Sequence, residues 1–140
     1  MSNFVEMLED ALEECGKTFK DLEKAGIITE KAFYRYKTFT PFLPTIIKIV
    51  NYLKISLDYF TNRSNINSYK KYKENQLNFF ENLNKVMKNL KISQTKLSED
   101  LKIGRSNFSY WNNGSFPKLN LLIELSDYLN CNIDDLLDHE

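Results

Sequence analysis

Moved along by 75 positions, this sequence lies on itself. Leu8 and Leu12 fall on Leu83 and Met87, Leu22 on Leu97, Phe33 on Phe108, and Tyr36 on Trp111. One residue is gained in the next loop. At an offset of 76, Pro41 then falls on Pro117, Tyr52-Leu53 on Tyr128-Leu129, and Asp58 on Asp134. A period this long is that of a domain, not of a solenoid. A chain of 140 residues would by length alone be one domain. The repeat makes it two copies of one unit of about 60 residues, small but able to fold alone.

The pattern within each copy is helical. Phe4, Met7, Leu8, Ala11, Leu12 and Cys15 follow the i, i+3, i+4, i+7 spacing of an amphipathic helix, which Gly16 ends. Thr18 caps a short helix holding Leu22 and Ala25, and Gly26 stops it. Thr29 opens a third, with Phe33 and Tyr36 on one face. Pro44 suits the first turn of the next helix, where its missing N–H costs nothing. Ile46, Ile47, Ile49, Val50 and Leu53 make that helix strongly apolar, and Ser56 to Phe60 reads as a last helical turn.

In copy two, Ser93 caps a helix in which Leu97 and Leu101 share a face. Lys102-Ile103-Gly104 breaks the run, with Gly104 expected to make the sharp turn without a Cβ penalty. A second short helix starts at Gly104 or Ser106 and turns Phe108 and Trp111 inward. Asn113-Gly114 ends it, since both tolerate the left-handed conformation. Two such helices joined by a tight turn form a helix-turn-helix. The expected core of this copy is Leu83, Met87, Leu97, Leu101, Ile103, Phe108, Trp111, Leu122, Leu125, Leu129, Ile133 and Leu136.

This stretch resembles the helix-turn-helix of the phage-repressor family, the lambda/Cro-like or XRE-type transcriptional regulators. The resemblance rests on Ser93-Gln94, Leu97, Leu101, Ile103, Arg105-Ser106, Trp111, Asn113-Gly114 and Pro117. It implies that the second helix enters the DNA major groove. The groove-facing residues are then Arg105, Ser106, Ser109 and Tyr110. Arg105 is the best candidate base reader, because a guanidinium bonds O6 and N7 of guanine together. Gln94 and Asn113 fall where the family contacts phosphate, and Lys96 and Lys118 lie close enough in sequence to add charge.

Copy one departs from the pattern. Phe19 stands in place of Gln94, Glu30 in place of Arg105, and Thr38-Phe39 in place of Asn113-Gly114. Lys31, Arg35 and Lys37 keep this copy a candidate second DNA surface. Phe39 and Phe42 look surplus to the core, and exposed aromatics are common interface anchors, so a protein contact here is the competing expectation. Between the copies, 61–75 holds four basic residues and one acidic one. This stretch is polar and without period. It reads as a flexible connector, with a weaker reading as a phosphate contact, and one long helix is expected from Tyr69 to Leu90.

The remaining composition narrows the function. Net charge is zero, so no global basic signal marks a nucleic-acid partner, although local positive charge suffices for one. Cys15, Cys131 and His139 form no metal-ligand set. The cysteines read as free thiols in a reducing cytoplasm. Asp134, Asp135 and Asp138 lack the glycine turn and spacing of a calcium loop. No apolar run reaches the ~18 residues of a membrane span, and Met1 to Glu6 lacks the features of a signal peptide. No phosphate loop or catalytic pair is present, so no enzyme, cofactor or metal is expected. The reading is all-α: a degenerate helix-turn-helix domain at 1–61, a polar basic connector at 62–75, and a DNA-binding helix-turn-helix domain at 76–140. Its expected partner is double-stranded DNA. The resemblance implies a regulator of phage or mobile-element type, expected to act as a repressor, as a homodimer or as a pseudo-dimer within one chain. The alternative is a protein-binding inhibitor or scaffold that keeps the fold, an arrangement that phage-encoded regulators and anti-CRISPR-type proteins resemble.

Overall fold

The computed structural model describes residues 4–140; Met1, Ser2 and Asn3 of the expected N-terminal domain lie outside the described residues. The chain divides into two compact units, Met1–Glu74 and Asn75–Glu140. Unit 1 contains α1 (Phe4–Cys15), α2 (Phe19–Lys24), α3 (Glu30–Arg35), α4 (Leu43–Leu53) and α5 (Leu57–Phe60). Unit 2 contains α6 (Phe79–Leu90), α7 (Gln94–Leu101), α8 (Ser106–Asn112), α9 (Leu119–Leu129) and a closing 3₁₀ turn (Ile133–Leu136). The two units share one order of elements. In each, a 12-residue helix comes first and an 11-residue helix comes fourth.

In unit 1, α4 is the central element. Ile46, Ile47, Ile49 and Val50 are all fully buried, so apolar neighbours surround most of its circumference. Phe4, Leu8 and Leu12 of α1 face inward, as their spacing requires. The Phe4 ring sits edge-on to Tyr36 at 5.5 Å and tilted against Phe60 at 5.7 Å. Thr29 caps α3, accepting the Ala32 N–H at 3.1 Å. At α2 the Asp21 carboxylate accepts the Thr18 N–H at 2.8 Å, closing the first turn. Gly16 ends α1 at a φ of +66°, where any side chain would be strained.

In unit 2 every expected core residue is buried except Leu101, which is half-buried at the end of α7. Phe79 of α6 meets Trp111 edge-on at 5.4 Å, and Phe108 meets Trp111 the same way at 5.5 Å. The turn between α7 and α8 differs from expectation. Lys102, not Gly104, takes the left-handed conformation, at a φ of 55°. A Cβ added at Gly104 would lie 3.7 Å from its nearest neighbour, Asn107 Nδ2, an ordinary contact.

The expected long helix from Tyr69 is corrected: α6 begins only at Phe79. The cause is a pair of side-chain amides that each hold a stretch of backbone as a strand neighbour would. Asn51 of α4 donates from Nδ2 to the Tyr72 carbonyl and accepts the Tyr72 N–H at Oδ1, both at 3.0 Å. The Tyr72 hydroxyl then accepts the Leu57 N–H at 2.8 Å, and its side chain is 0% exposed. Asn67 adds bonds to Ser56 N–H and the Lys54 carbonyl, and Arg63 pairs with the buried carboxylate of Asp58. The stretch from 62 to 74 is therefore part of unit 1, not a free connector. On the other side, Gln76 donates to the Asp138 carbonyl at 2.9 Å and accepts the Asp138 N–H at 2.6 Å.

Losing the Tyr72 side chain therefore removes core from unit 1. Tyr72→Ala is expected to lower the stability of that unit by about 3–5 kcal/mol, the range for a buried large aromatic. Hydrogen exchange of the α4 amides measures it. A change within about 0.5 kcal/mol, as for an exposed connector residue, contradicts the account.

Candidate nucleic-acid interface

The geometry of α8 follows from two buried aromatics. Phe108 and Trp111, three residues apart, fix which side of this seven-residue helix faces the core. Ser106, Ser109 and Tyr110 are left on the outer side, and Tyr110 is 59% exposed. Arg105 stands at the N-cap position, where its side chain does not cap the helix. Instead its Nη2 donates to Thr95 Oγ1 of α7 at 2.9 Å, across the turn. Asn107 steadies the same corner by donating to the Gly104 carbonyl at 3.1 Å. The four residues expected to read bases thus lie on one exposed surface.

The expected phosphate-contacting residues lie on α7 and at the end of α8 and the start of α9. Ser93 caps α7, accepting the Lys96 N–H at 3.0 Å. Gln94 is exposed, and its amide donates to Asn84 of α6 at 3.2 Å. The Lys96 ammonium lies 3.2 Å from Asp100, so it is engaged with an exposed carboxylate. Asn113 is the exposed C-cap of α8, and Gly114 carries the chain on at a φ of +100°. Lys118, exposed, precedes α9 and shares an open cleft with Asn107, Tyr110 and Phe116. Thr95, Asn84 and Asp100, which hold Arg105, Gln94 and Lys96, are partners that sequence reasoning missed. Thr95 is ten residues from Arg105, and no helical period links positions across a turn.

Charge within unit 2 is sorted along the chain. Residues 85–118 hold seven Lys/Arg and two Asp/Glu, whereas 119–140 hold six Asp/Glu and no Lys/Arg. The segment containing α7 and α8 is therefore the basic one, although the whole chain is neutral.

The unit 1 residues form a different surface. Lys31 and Arg35 lie on α3 and Lys37 just beyond it, with the Lys37 ammonium 5.1 Å from the centre of the exposed Tyr34 ring. Phe39 is 47% exposed and Phe42 67%. Glu30 occupies the first turn of α3. No group of three or more His, Cys, Asp or Glu among the described residues is arranged to hold a metal ion. Among those residues no helix is long and apolar enough to cross a membrane.

Residues 82–140 match the family model of the Cro/C1-type HTH DNA-binding domain. The match covers α7 and α8 and supports a DNA-binding regulator of that type. No curated protein and no solved structure matches the chain.

Asp100 offers a test of the surface charges. The Tyr128 hydroxyl donates to its carboxylate and the Lys96 ammonium lies beside it, and both hold its pKa below the ordinary aspartate value. The stability this linkage contributes is present above the unfolded-state pKa of about 3.9 and is lost as pH falls through the lower folded value. Tyr128→Phe should move the Asp100 titration, followed by NMR, back upward. An Asp100 that titrates at the ordinary value in the unaltered protein contradicts the geometry.

Proposed function

We propose that the chain is a sequence-specific regulator of transcription that binds double-stranded DNA through unit 2 and represses the gene it controls. The observation that carries this reading is the outward polar face of α8, lying in the most basic segment of a unit that matches a DNA-binding family. In this mechanism Gln94, Lys96, Asn113 and Lys118 take phosphates and set register, which supplies most of the affinity. Lys96 exchanges its Asp100 partner for phosphate. Arg105 enters the major groove and reads a guanine, with Ser106, Ser109 and Tyr110 on the neighbouring base edges. The reading assigns no residue a catalytic role and needs no cofactor. The regulator is of the type encoded by phages or mobile elements.

Unit 1 is read as a diverged copy of the same unit. Glu30 stands where Arg105 stands in unit 2, and two exposed phenylalanines follow its α3. Those phenylalanines favour a protein contact for this unit over a second DNA surface formed by Lys31, Arg35 and Lys37.

Selection of bound sites from a random duplex pool tests the DNA reading. The expected result is one short preferred sequence whose binding weakens steeply with salt. Arg105→Ala should then cost about 1–3 kcal/mol and relax preference at a single position. Absence of any selected sequence at low salt overturns the reading. A loss that is uniform over all sequences makes Arg105 a phosphate contact instead.

A further inference from the structure

Charge in unit 1 is sorted as it is in unit 2. Residues 4–15 hold five Asp/Glu and no Lys/Arg, whereas 31–57 hold five Lys/Arg and no Asp/Glu. The basic stretch also carries Tyr34, Phe39 and Phe42, three of the large hydrophobic side chains exposed on the described residues. A basic stretch that carries exposed aromatics calls for an acidic partner with an apolar anchor.

Duplex DNA is a poor occupant of this face. A phosphate approaching the start of α2 would meet the Asp21 carboxylate, which already takes the Thr18 N–H at 2.8 Å. One approaching the start of α3 would meet Glu30. The same patch on a second copy is no better, because Lys31, Arg35 and Lys37 would face their own like charges.

The acidic end of unit 2 is complementary. Residues 119–140 are wholly acidic among their Asp, Glu, Lys and Arg. Leu77, 74% exposed, is flanked by Gln76 and Asn78, both of which bond Asp138 of this acidic segment. Unit 1 carries 12 Lys/Arg and 10 Asp/Glu, and unit 2 carries 7 and 9, so the two halves have net charges of opposite sign.

We propose that the Lys31–Phe42 face of unit 1 docks on the acidic, Leu77-bearing end of unit 2 of a second copy of this chain. Made reciprocally, the contact forms twice and closes a two-fold dimer, so neither acceptor face is left to propagate a filament. The second contact is intramolecular once the first has formed, which strengthens a pair of individually small patches. Such a dimer carries two α8 helices, one from each copy, for a palindromic site. The inference takes the homodimer arm of the functional reading and names its interface.

Sedimentation of the full chain without DNA, over a range of concentration and salt, tests it. The expected result is a mass that doubles with concentration and a dimer that weakens with salt. Lys31→Glu with Arg35→Glu should weaken dimerisation at least about 10-fold, and Asp135→Lys with Glu140→Lys should do the same. Combining all four should restore it to within about 3-fold, the signature of directly coupled charges. Rescue cannot come from a misfolded chain, and circular dichroism checks each variant. Phe39→Ala with Phe42→Ala should also weaken the dimer. A monomer at every concentration overturns both the dimer and its interface. A dimer indifferent to either charge reversal, or one that the combined reversal fails to rescue, overturns the interface alone.

Discussion

The edge-to-face cluster of Phe79, Phe108 and Trp111 is the interaction on which the functional surface depends. A helix of seven residues has too few internal hydrogen bonds to stand alone. What holds α8 is the burial of two aromatic rings against α6, and each such ring contributes a large apolar area with a preferred geometry. Because the two rings are three residues apart, their burial fixes the rotation of the helix about its axis. That rotation leaves Ser106, Ser109 and Tyr110 outside. The surface is thus a consequence of core packing, and the Arg105–Thr95 bond adds the last constraint by tying the N-cap residue of α8 to α7.

Electrostatics work on the same scale as the units, not on the scale of the chain. A neutral total conceals two halves, each with acidic and basic segments kept apart in sequence. In unit 2 the basic segment coincides with the aromatic-anchored helix and its neighbours. In unit 1 it coincides with exposed aromatic rings, while carboxylates occupy the starts of α2 and α3. At ordinary ionic strength charges act over about 8–10 Å, so such local sorting matters more to a partner than net charge does.

Most of the fold was legible because its signals are local. Helical periodicity and the caps at Thr18, Thr29 and Ser93 placed the helices, and the inward spacing of Phe108 and Trp111 placed the face of α8. What the sequence concealed depends on contacts between distant positions. The amide clamps from Asn51 to Tyr72 and from Gln76 to Asp138 have no periodic signature; the first makes an apparent connector part of unit 1, and the second ties the start of unit 2 to its C-terminal end. Leu101 continues the face of Leu97 by spacing but sits where α7 leaves the core, so it is half-buried. Gly104 misled for a different reason: glycine permits the left-handed conformation without requiring it, and Lys102 supplies it instead. Of the site, the residue types on α8 were readable, whereas the partners Thr95, Asn84 and Asp100 required the folded chain.

The central claim is that this chain meets DNA through the surface of α7, α8 and the turn before α9. Backbone and side-chain NMR shifts of the full chain, titrated with its selected duplex, test it most directly. The account predicts the largest changes at Thr95, Arg105, Ser106, Ser109, Tyr110, Asn113 and Lys118, with α3 and Phe42 of unit 1 unmoved by contact with the duplex. Changes centred on residues 31–42, with α8 unaffected, would contradict it.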